Sequence, residues 1–164
     1  MEQISKYFNA EKGESLLFAT VGLVAIILAT YFLIKIKQPF YNGMAIPLIL
    51  IALIQLTVGA SVYFRSPKDI LKVENMVTND KEKIKTDEIP RMETVMKNFL
   101  IYRYVELVLM IAGLILMFAF KENEFVKGIG IGLFIQASLM LTLDFFAEKR
   151  GHEYLSFLIN LEIK

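Results

Sequence analysis

The sequence contains no cysteine and no tryptophan among its 164 residues, and its only histidine is His152. Without cysteine the chain has no disulfide bond, no thiolate nucleophile and no cysteine-ligated zinc or iron–sulfur site. The formal net charge is only +1, so the chain has no basic excess with which to neutralise nucleic-acid phosphates. These absences argue against cysteine-based chemistry and against a nucleic-acid partner.

Hydrophobic residues are abundant and make up 55% of the chain. A soluble domain of this length has too little interior to bury so much apolar surface. Four stretches meet the criterion for crossing a bilayer, about 20 mostly apolar residues; they are residues 15–34, 43–64, 99–120 and 128–146. The sequence therefore predicts an all-α integral membrane protein, a single domain over 1–164 in contact with the lipid bilayer.

The connections and the charge distribution predict the topology. Residues 35–43 and 121–127 are short connections, so spans 1 and 2 and spans 3 and 4 should form hairpins of an antiparallel four-transmembrane-helix bundle. An even number of spans puts both termini and the long connection 65–98 on one side. All but four of the 18 lysines and arginines fall on that side, the exceptions being Lys35, Lys37, Lys121 and Lys127. The positive-inside rule then predicts cytoplasmic termini and a multi-pass protein of the cell (inner) membrane.

The long connection carries helix signals. Ser66, Pro67 and Asp69 place an N-cap serine, a proline at the first helical position and an acid at the third. Apolar residues then follow at helical spacing and predict a short cytoplasmic amphipathic helix over 67–79 between spans 2 and 3. Residues 79–88 predict a polar turn, and Thr86 should start a helix that continues into span 3.

Small residues mark the helix faces that we expect to contact a neighbour. Gly22, Ala25 and Ala29 lie on one face of span 1, and Gly113 lies on one face of span 3. The stretch 128–132 (GIGIG) contains a Gly-x-x-x-Gly spacing, which allows two helices to approach closely.

Ionisable residues gather at the predicted cytoplasmic ends of the spans. Steps of three and four residues place most of them on the same helix faces as the small residues and methionines, which predicts that they face the protein interior. Arg65 lies about a quarter-turn from the corresponding line on span 2, and His152 lies beside the line on span 4. Five carboxylates, two arginines and one imidazole should then meet at one depth of the bundle: Glu11, Glu14, Glu106, Asp144, Glu148, Arg65, Arg103 and His152.

One interpretation of this cluster is a metal site. Four-helix bundles can hold two metal ions with carboxylates and Glu-x-x-His motifs from facing helices. The candidate ligands here are Glu11, Glu14, Glu106, Asp144, Glu148 and His152. Because the chain has one histidine and no Glu-x-x-His motif, the set favours a hard or borderline divalent ion (Mg, Mn, Ca or Fe) over zinc or copper.

A second interpretation is a pocket for a small polar ligand. Arg65 and Arg103 could bind a phosphate or carboxylate through their forked guanidinium groups, with Tyr102 as a hydroxyl partner. A half-buried carboxylate or His152 could also transfer protons. No motif selects a reaction, so enzymatic activity and transport both stay open.

A third interpretation is structural. Arg103 and Glu106 are three residues apart and could neutralise each other, and Gly151 could end the last helix and leave His152 in solvent. The leading hypothesis is a small inner-membrane protein that binds a divalent cation or small polar ligand at the carboxylate, arginine and histidine cluster. The alternative is a non-catalytic membrane subunit or regulatory protein that binds a partner protein or a second copy of itself.

Overall fold

The computed structural model describes residues 1–162, and this part of the chain is helical with no strand. Helix α1 is Glu2–Tyr31, and it ends in a π-helical turn, Phe32–Ile36. Helix α2 is Pro39–Asn79, a second π-helical turn is Ile84–Glu88, α3 is Ile89–Ala119 and α4 is Glu124–Glu162. All four helices are long and apolar enough to cross a membrane, which confirms the predicted all-helical class. Residues 163 and 164 of the predicted domain lie outside the described residues.

Local sequence explains both short connections. Lys37 has a φ of 55°, and Gln38 is extended ahead of Pro39, the first residue of α2. A residue before proline avoids the helical region, and proline is well tolerated at the first position of a helix. In the second connection the Asn123 side-chain oxygen accepts the backbone N–H of Val126 at 3.2 Å and caps the start of α4.

Glycines determine how closely the helices approach, as the small-residue pattern predicts. A Cβ atom on Gly59 would lie 2.6 Å from the carbonyl oxygen of Ser15, so α1 and α2 touch backbone to backbone. Gly128 and Gly132 face α2, whereas Gly130 faces Gly113 of α3. Successive glycines of the GIGIG stretch therefore contact α2 and α3 in turn.

The helices lie in the order α1, α2, α4, α3. Among the described residues, no Cα atom of α3 lies within 8 Å of one in α1 or α2. Much of the α3 surface consists of exposed apolar side chains, including Ile101, Tyr104, Val105, Val108, Ile111, Ile115 and Phe118. One flank of the α3–α4 pair is thus left uncovered, and the four helix ends do not enclose one central site as the sequence led us to expect.

Beyond the apolar stretches the helices continue into a second packed region, which we call the stem. It comprises residues 2–14, 65–79, 84–98 and 147–161. Its buried apolar core is built from all four helices: Ile4, Phe8, Val73, Met76, Ile84, Ile89, Met92, Tyr154 and Leu158. Met92, one of the methionines that share a face of span 3 with Glu106, is fully buried in this core.

The helix predicted to begin at Ser66 does not begin there. Residues 67–79 are helical but continue α2 without interruption through Pro67. The Ser66 hydroxyl donates to the carbonyl oxygen of Val62 at 2.7 Å instead of capping a new helix. The buried residues of α2 here recur every seven positions, or two helical turns: Gly59, Ser66 and Val73. One buried face therefore continues past Pro67, and its packing stabilises the unbroken helix more than the start signal at Ser66 favours a new one.

The predicted polar turn over 79–88 is also shorter than expected. Backbone bonds from Lys83 to Asp80 and from Ile84 to Lys81, both 3.1 Å, close it tightly. Residues Ile84–Glu88 are already helical, because Ile84 and Glu88 are buried in the stem. The chain therefore needs few residues to pass from α2 to α3.

The last helix does not stop at Gly151, which corrects that expectation. Helix α4 continues to Glu162, and Gly151 is buried where a Cβ atom would lie 2.8 Å from the terminal methyl carbon of Met96. Tyr154 and Leu158, beyond the glycine, fill the stem core. The absence of a side chain at Gly151 leaves room for Met96 of α3, and the burial of Tyr154 and Leu158 keeps the chain helical beyond it.

Candidate functional site

The six predicted metal ligands do not come together. Glu11 binds Arg65 at 3.2 Å, both oxygens of Glu14 bind Arg150, and Glu148 binds Arg103. His152 is 62% exposed, with its Nε2 atom 3.7 Å from Glu148. Within residues 1–162 no group of three or more His, Cys, Asp or Glu side chains is placed to hold a metal ion. Three of the six predicted ligands, Glu11, Glu14 and Glu148, are thus bound to arginines in separate ion pairs.

These ion pairs each join two different helices: α1 with α2, α1 with α4, and α3 with α4. They lie where the apolar stretches meet the stem. Burial raises the pKa of Glu11, although the charge and hydrogen bond of Arg65 oppose this effect. Because each charge has an opposite charge on a neighbouring helix, the pairs hold the helices in register. The structural interpretation expected Arg103 to be neutralised by Glu106 on its own helix, but Arg103 bonds to Glu148 of α4 instead.

The three residues predicted to bind a polar ligand also lie apart. Arg65 bonds to Glu11 and, at 3.5 Å, to Asp69. Arg103 of α3 is bound to Glu148 of α4, whereas Arg65 lies on α2. Tyr102 is 50% exposed on the outer surface of α3. The two guanidinium groups therefore do not face one common ligand.

Glu106 and Asp144 are the exception to this pairing. Glu106 is only 1% exposed, and neither of its carboxylate oxygens has a hydrogen-bond donor among the described residues. Its ionisable neighbours are Asp144 of α4 and Arg103, and Arg103 is already bound to Glu148. Two carboxyl groups can hydrogen-bond to each other only when a proton lies between them, and two ionised ones repel strongly in apolar surroundings. The pair is therefore stable only when a proton lies between its oxygens or a positive charge lies beside it.

A cavity of about 510 Å³ lies between α3 and α4 beside this pair. Its wall is formed by Phe99, Arg103, Glu106, Leu107, Leu141, Thr142, Asp144, Phe145, Phe146 and Glu148. The charged part of this wall consists of three carboxylates and one guanidinium group, so the cavity favours positively charged over negatively charged ligands.

The stem contains a second polar cluster, which the sequence did not reveal. Glu88 is 2% exposed and accepts two bonds from Arg91, at 2.8 and 2.6 Å, and one from the Tyr154 hydroxyl at 3.1 Å. The Tyr7 ring stacks on Tyr154 at 4.1 Å, and its hydroxyl contacts the sulfur of Met92 at 3.8 Å. This network joins α1, α3 and α4 through side chains that bond to or stack on one another.

Electrostatics within the network are consistent with a charged, fully bonded pair. Burial alone would lower the pKa of Arg91, but its hydrogen bonds and charge contact with Glu88 raise it. Burial and the nearby Glu88 charge both raise the pKa of Tyr154, which therefore stays a hydroxyl donor. The spacing of three between Glu88 and Arg91, next to the apolar Ile84 and Ile89, was the available sequence signal for an inward-facing ion pair.

Deeper in the membrane region, two buried glutamines connect α2 and α4. The Gln55 amide donates to Gln136 at 3.4 Å, and the Gln136 amide donates to the carbonyl oxygen of Leu48 at 3.5 Å. Interhelical amide bonds of this kind hold membrane helices together where water is absent.

The chain was compared with protein-family models, curated proteins and solved structures, and none matches it. The functional proposal therefore depends on the residues of this chain alone. Among them, the unpaired Glu106 and Asp144 beside a cavity are the arrangement best suited to bind a ligand.

Proposed function

We propose that the protein is a multi-pass inner-membrane protein that binds a small positively charged ligand between α3 and α4. The observation that supports this proposal is the buried Glu106 carboxyl group, which has no donor and faces Asp144 on the cavity wall. A divalent cation with water in its remaining coordination positions, or an ammonium group, would supply the missing charge. Either ligand fits the cation or small polar molecule expected from the sequence.

Neutral variants of the pair are expected to lose cation binding. In Glu106→Gln and Asp144→Asn, a carboxyl group beside the ligand becomes a neutral amide. Saturable binding of Mn²⁺ or tetramethylammonium should therefore weaken about 10–100-fold, because the attraction between one carboxylate and the cation is lost. Binding would be measured by equilibrium dialysis of the purified full-length protein. Glu93→Gln is the matched control, because Glu93 lies exposed on the same helix outside the cavity.

The stability of the ligand-free protein, unlike its affinity for cations, should not decrease in Glu106→Gln. Ligand-free Glu106→Gln is expected to be at least as stable as the wild type, because a neutral amide paired with Asp144 replaces two buried carboxyl groups that must share a proton or repel each other. Thermal unfolding in detergent without added cation would measure this. Cation binding that is equal in wild type and both neutral variants would contradict the proposal, and so would a Glu106→Gln protein that unfolds more readily.

We further propose that the four helices form an antiparallel bundle with both termini in the cytoplasm, and that the amphipathic residues 67–79 belong to the cytoplasmic stem. The distribution of lysine and arginine supports this orientation. The short connections support the hairpins, and along α1 and α2 the contacting residue numbers change in opposite directions, since Gly59 faces Ser15 and Gly22 faces Ala52.

The absence of cysteine makes this orientation directly testable. Lys81 and Glu122 are exposed in connections on opposite sides of the proposed membrane. In intact cells a membrane-impermeant maleimide should label Glu122→Cys but not Lys81→Cys, and disrupted cells should show labelling of both. The cysteine-free parent protein is the blank. Labelling of Lys81→Cys alone in intact cells would show that the orientation is the opposite of the one proposed.

A second candidate function is a non-catalytic membrane subunit whose charges are structural. The observation that favours it is the pairing of Glu11, Glu14 and Glu148 with arginines on neighbouring helices. Purification from native membranes would distinguish the two candidates. A consistent protein partner together with no Glu106-dependent cation binding would favour the subunit.

A further inference from the structure

We infer that the ligand is an amphiphilic cation, an ammonium group attached to a hydrocarbon chain, which reaches the cavity from the side of the bilayer. This inference rests on the cation site proposed above and assigns the chemical class of its ligand. Four properties of the cavity support it: its charge, its apolar wall, its size and its position on the protein surface.

The charge of the wall excludes an anionic head group. Arg103 is the only basic residue on the wall, and Glu148 already occupies its guanidinium group. A phosphate or carboxylate would have to displace Glu148 and lie near Glu106 and Asp144 as well. A cationic head instead meets two carboxyl groups that have no basic partner of their own.

The apolar part of the cavity wall would contribute little to the binding of a metal ion. Half of the ten residues that line the cavity are phenylalanine or leucine, namely Phe99, Leu107, Leu141, Phe145 and Phe146. A hydrated divalent ion gains little from such a surface, because it binds through oxygen ligands. An alkyl ammonium gains twice, since its head can interact with aromatic rings and its chain can pack against the phenylalanine and leucine side chains.

The size of the cavity leads to the same conclusion. A volume of about 510 Å³ lies within the range of about 300–1,000 Å³ that is typical of sites for drug-sized molecules. A single ion would leave most of this space to water or lipid. A head group with several methylene groups fills it.

The position of the cavity gives access from lipid. Phe145 and Phe146 are 59% and 53% exposed and end the fourth apolar stretch. Because α1 and α2 do not cover the α3–α4 flank, this wall meets the lateral surface of the protein. The Arg103–Glu148 pair marks the membrane boundary nearby, so a head group at ordinary lipid depth would lie close to Glu106.

An ammonium group on a chain could belong to an aminolipid of the bilayer or to a free amphiphilic amine. Both present the same chemistry to the cavity. The experiment therefore uses one set of soluble probes and two bilayer compositions.

The test uses the full-length protein in nanodiscs of phosphatidylglycerol, which has no amine. Octyltrimethylammonium should bind saturably and at least tenfold more tightly than tetramethylammonium, with the saturable component lost in Glu106→Gln. Octyl sulfate, with a similar chain and the opposite charge, should show no saturable binding. Phe146→Ala should weaken octyltrimethylammonium binding severalfold, whereas Phe64→Ala, which removes an exposed ring of α2 outside the cavity, should not.

The two lipid compositions distinguish the sources. If phosphatidylethanolamine added to the nanodiscs weakens probe binding to the wild type, the natural ligand is an aminolipid; if it has no effect, the ligand is a free amphiphilic amine. Either result supports the inference.

Other outcomes overturn it and separate it from the cation site. Equal affinity for the octyl and tetramethyl probes, or Glu106-dependent binding of Mn²⁺ alone, would leave the cation site standing and refute the amphiphile. If no cation binds in a Glu106-dependent manner, both proposals fail. Saturable binding of octyl sulfate would refute the electrostatic argument.

Discussion

Replacing Arg91 with alanine is expected to destabilise the protein by about 3–5 kcal/mol, the typical cost of leaving a buried charge without its partner. Glu88 is only 2% exposed, and both of its oxygens bond to Arg91. After the substitution the Tyr154 hydroxyl still donates to this carboxylate, but the two bonds from the guanidinium group are lost. The loss would be measured as a lower midpoint of unfolding in mild detergent, followed by the circular dichroism of the helices.

Lys83→Ala is the matched control. Lys83 pairs with Asp80 at 2.9 Å and at the same spacing of three residues, but the two side chains are 56% and 44% exposed. Exposed pairs contribute little, so no measurable change is expected. The double variant Glu88→Leu, Arg91→Leu should recover much of the lost stability, because no unpaired charge remains. An Arg91→Ala protein as stable as Lys83→Ala would show that the stem does not bury this carboxylate.

The second large effect is expected at the contact between α2 and α4. A Cβ atom on Gly43 would overlap the carbonyl oxygen of Phe125, and one on Gly128 would overlap the carbonyl oxygen of Phe40. Both obstructing atoms belong to the backbone and cannot rotate away. Gly43→Ala and Gly128→Ala should each cost about 3 kcal/mol, the upper end of the usual range for overpacking, because the helices must separate.

Gly13→Ala provides the control for the glycine variants. Nothing lies within 4 Å of a Cβ atom at Gly13, and alanine is favoured over glycine inside a helix by about 0.5–1 kcal/mol. This variant should therefore be slightly more stable than the wild type in the same unfolding assay. Equal effects at Gly13, Gly43 and Gly128 would mean that the close approach of α2 and α4 is absent.

Both effects bear on the candidate site through α4. Helix α4 packs on α2 through its glycines and forms one wall of the cavity. Helix α3 forms the other wall, and within the apolar region it packs on α4 alone. The Glu88 network attaches the beginning of α3 to the end of α4, so we expect it to limit the separation of the two walls of the proposed site.

The inward faces of the helices could be predicted from periodicity. Steps of three and four from Met92 reach Glu106 and Gly113, and all three residues are buried. Gly22, Ala25 and Ala29 of α1 are buried as predicted. This succeeds because a helix packed on one side repeats its contacts every 3.6 residues, whatever its neighbour is.

Local start and stop signals were poorer guides. Ser66 and Pro67 resemble a helix start, and Gly151 resembles a helix end, yet both lie inside continuous helices. A cap contributes about 1 kcal/mol. Several buried side chains beyond each signal, among them Val73, Met76 and Leu158, contribute more together and keep the chain helical.

The sequence by itself determined the all-helical membrane class, the four spans and the buried helix faces that small residues mark, because composition and periodicity are properties of each segment alone. Only the tertiary structure decided which carboxylates have a partner. Arg65 reaches Glu11 across 54 positions, and Arg150 reaches Glu14 across 136. Such pairing depends on the distance and rotation between helices, which no single helix encodes. The same geometry leaves Glu106 beside Asp144 without a basic partner of their own and turns two of the eight predicted residues into the candidate site.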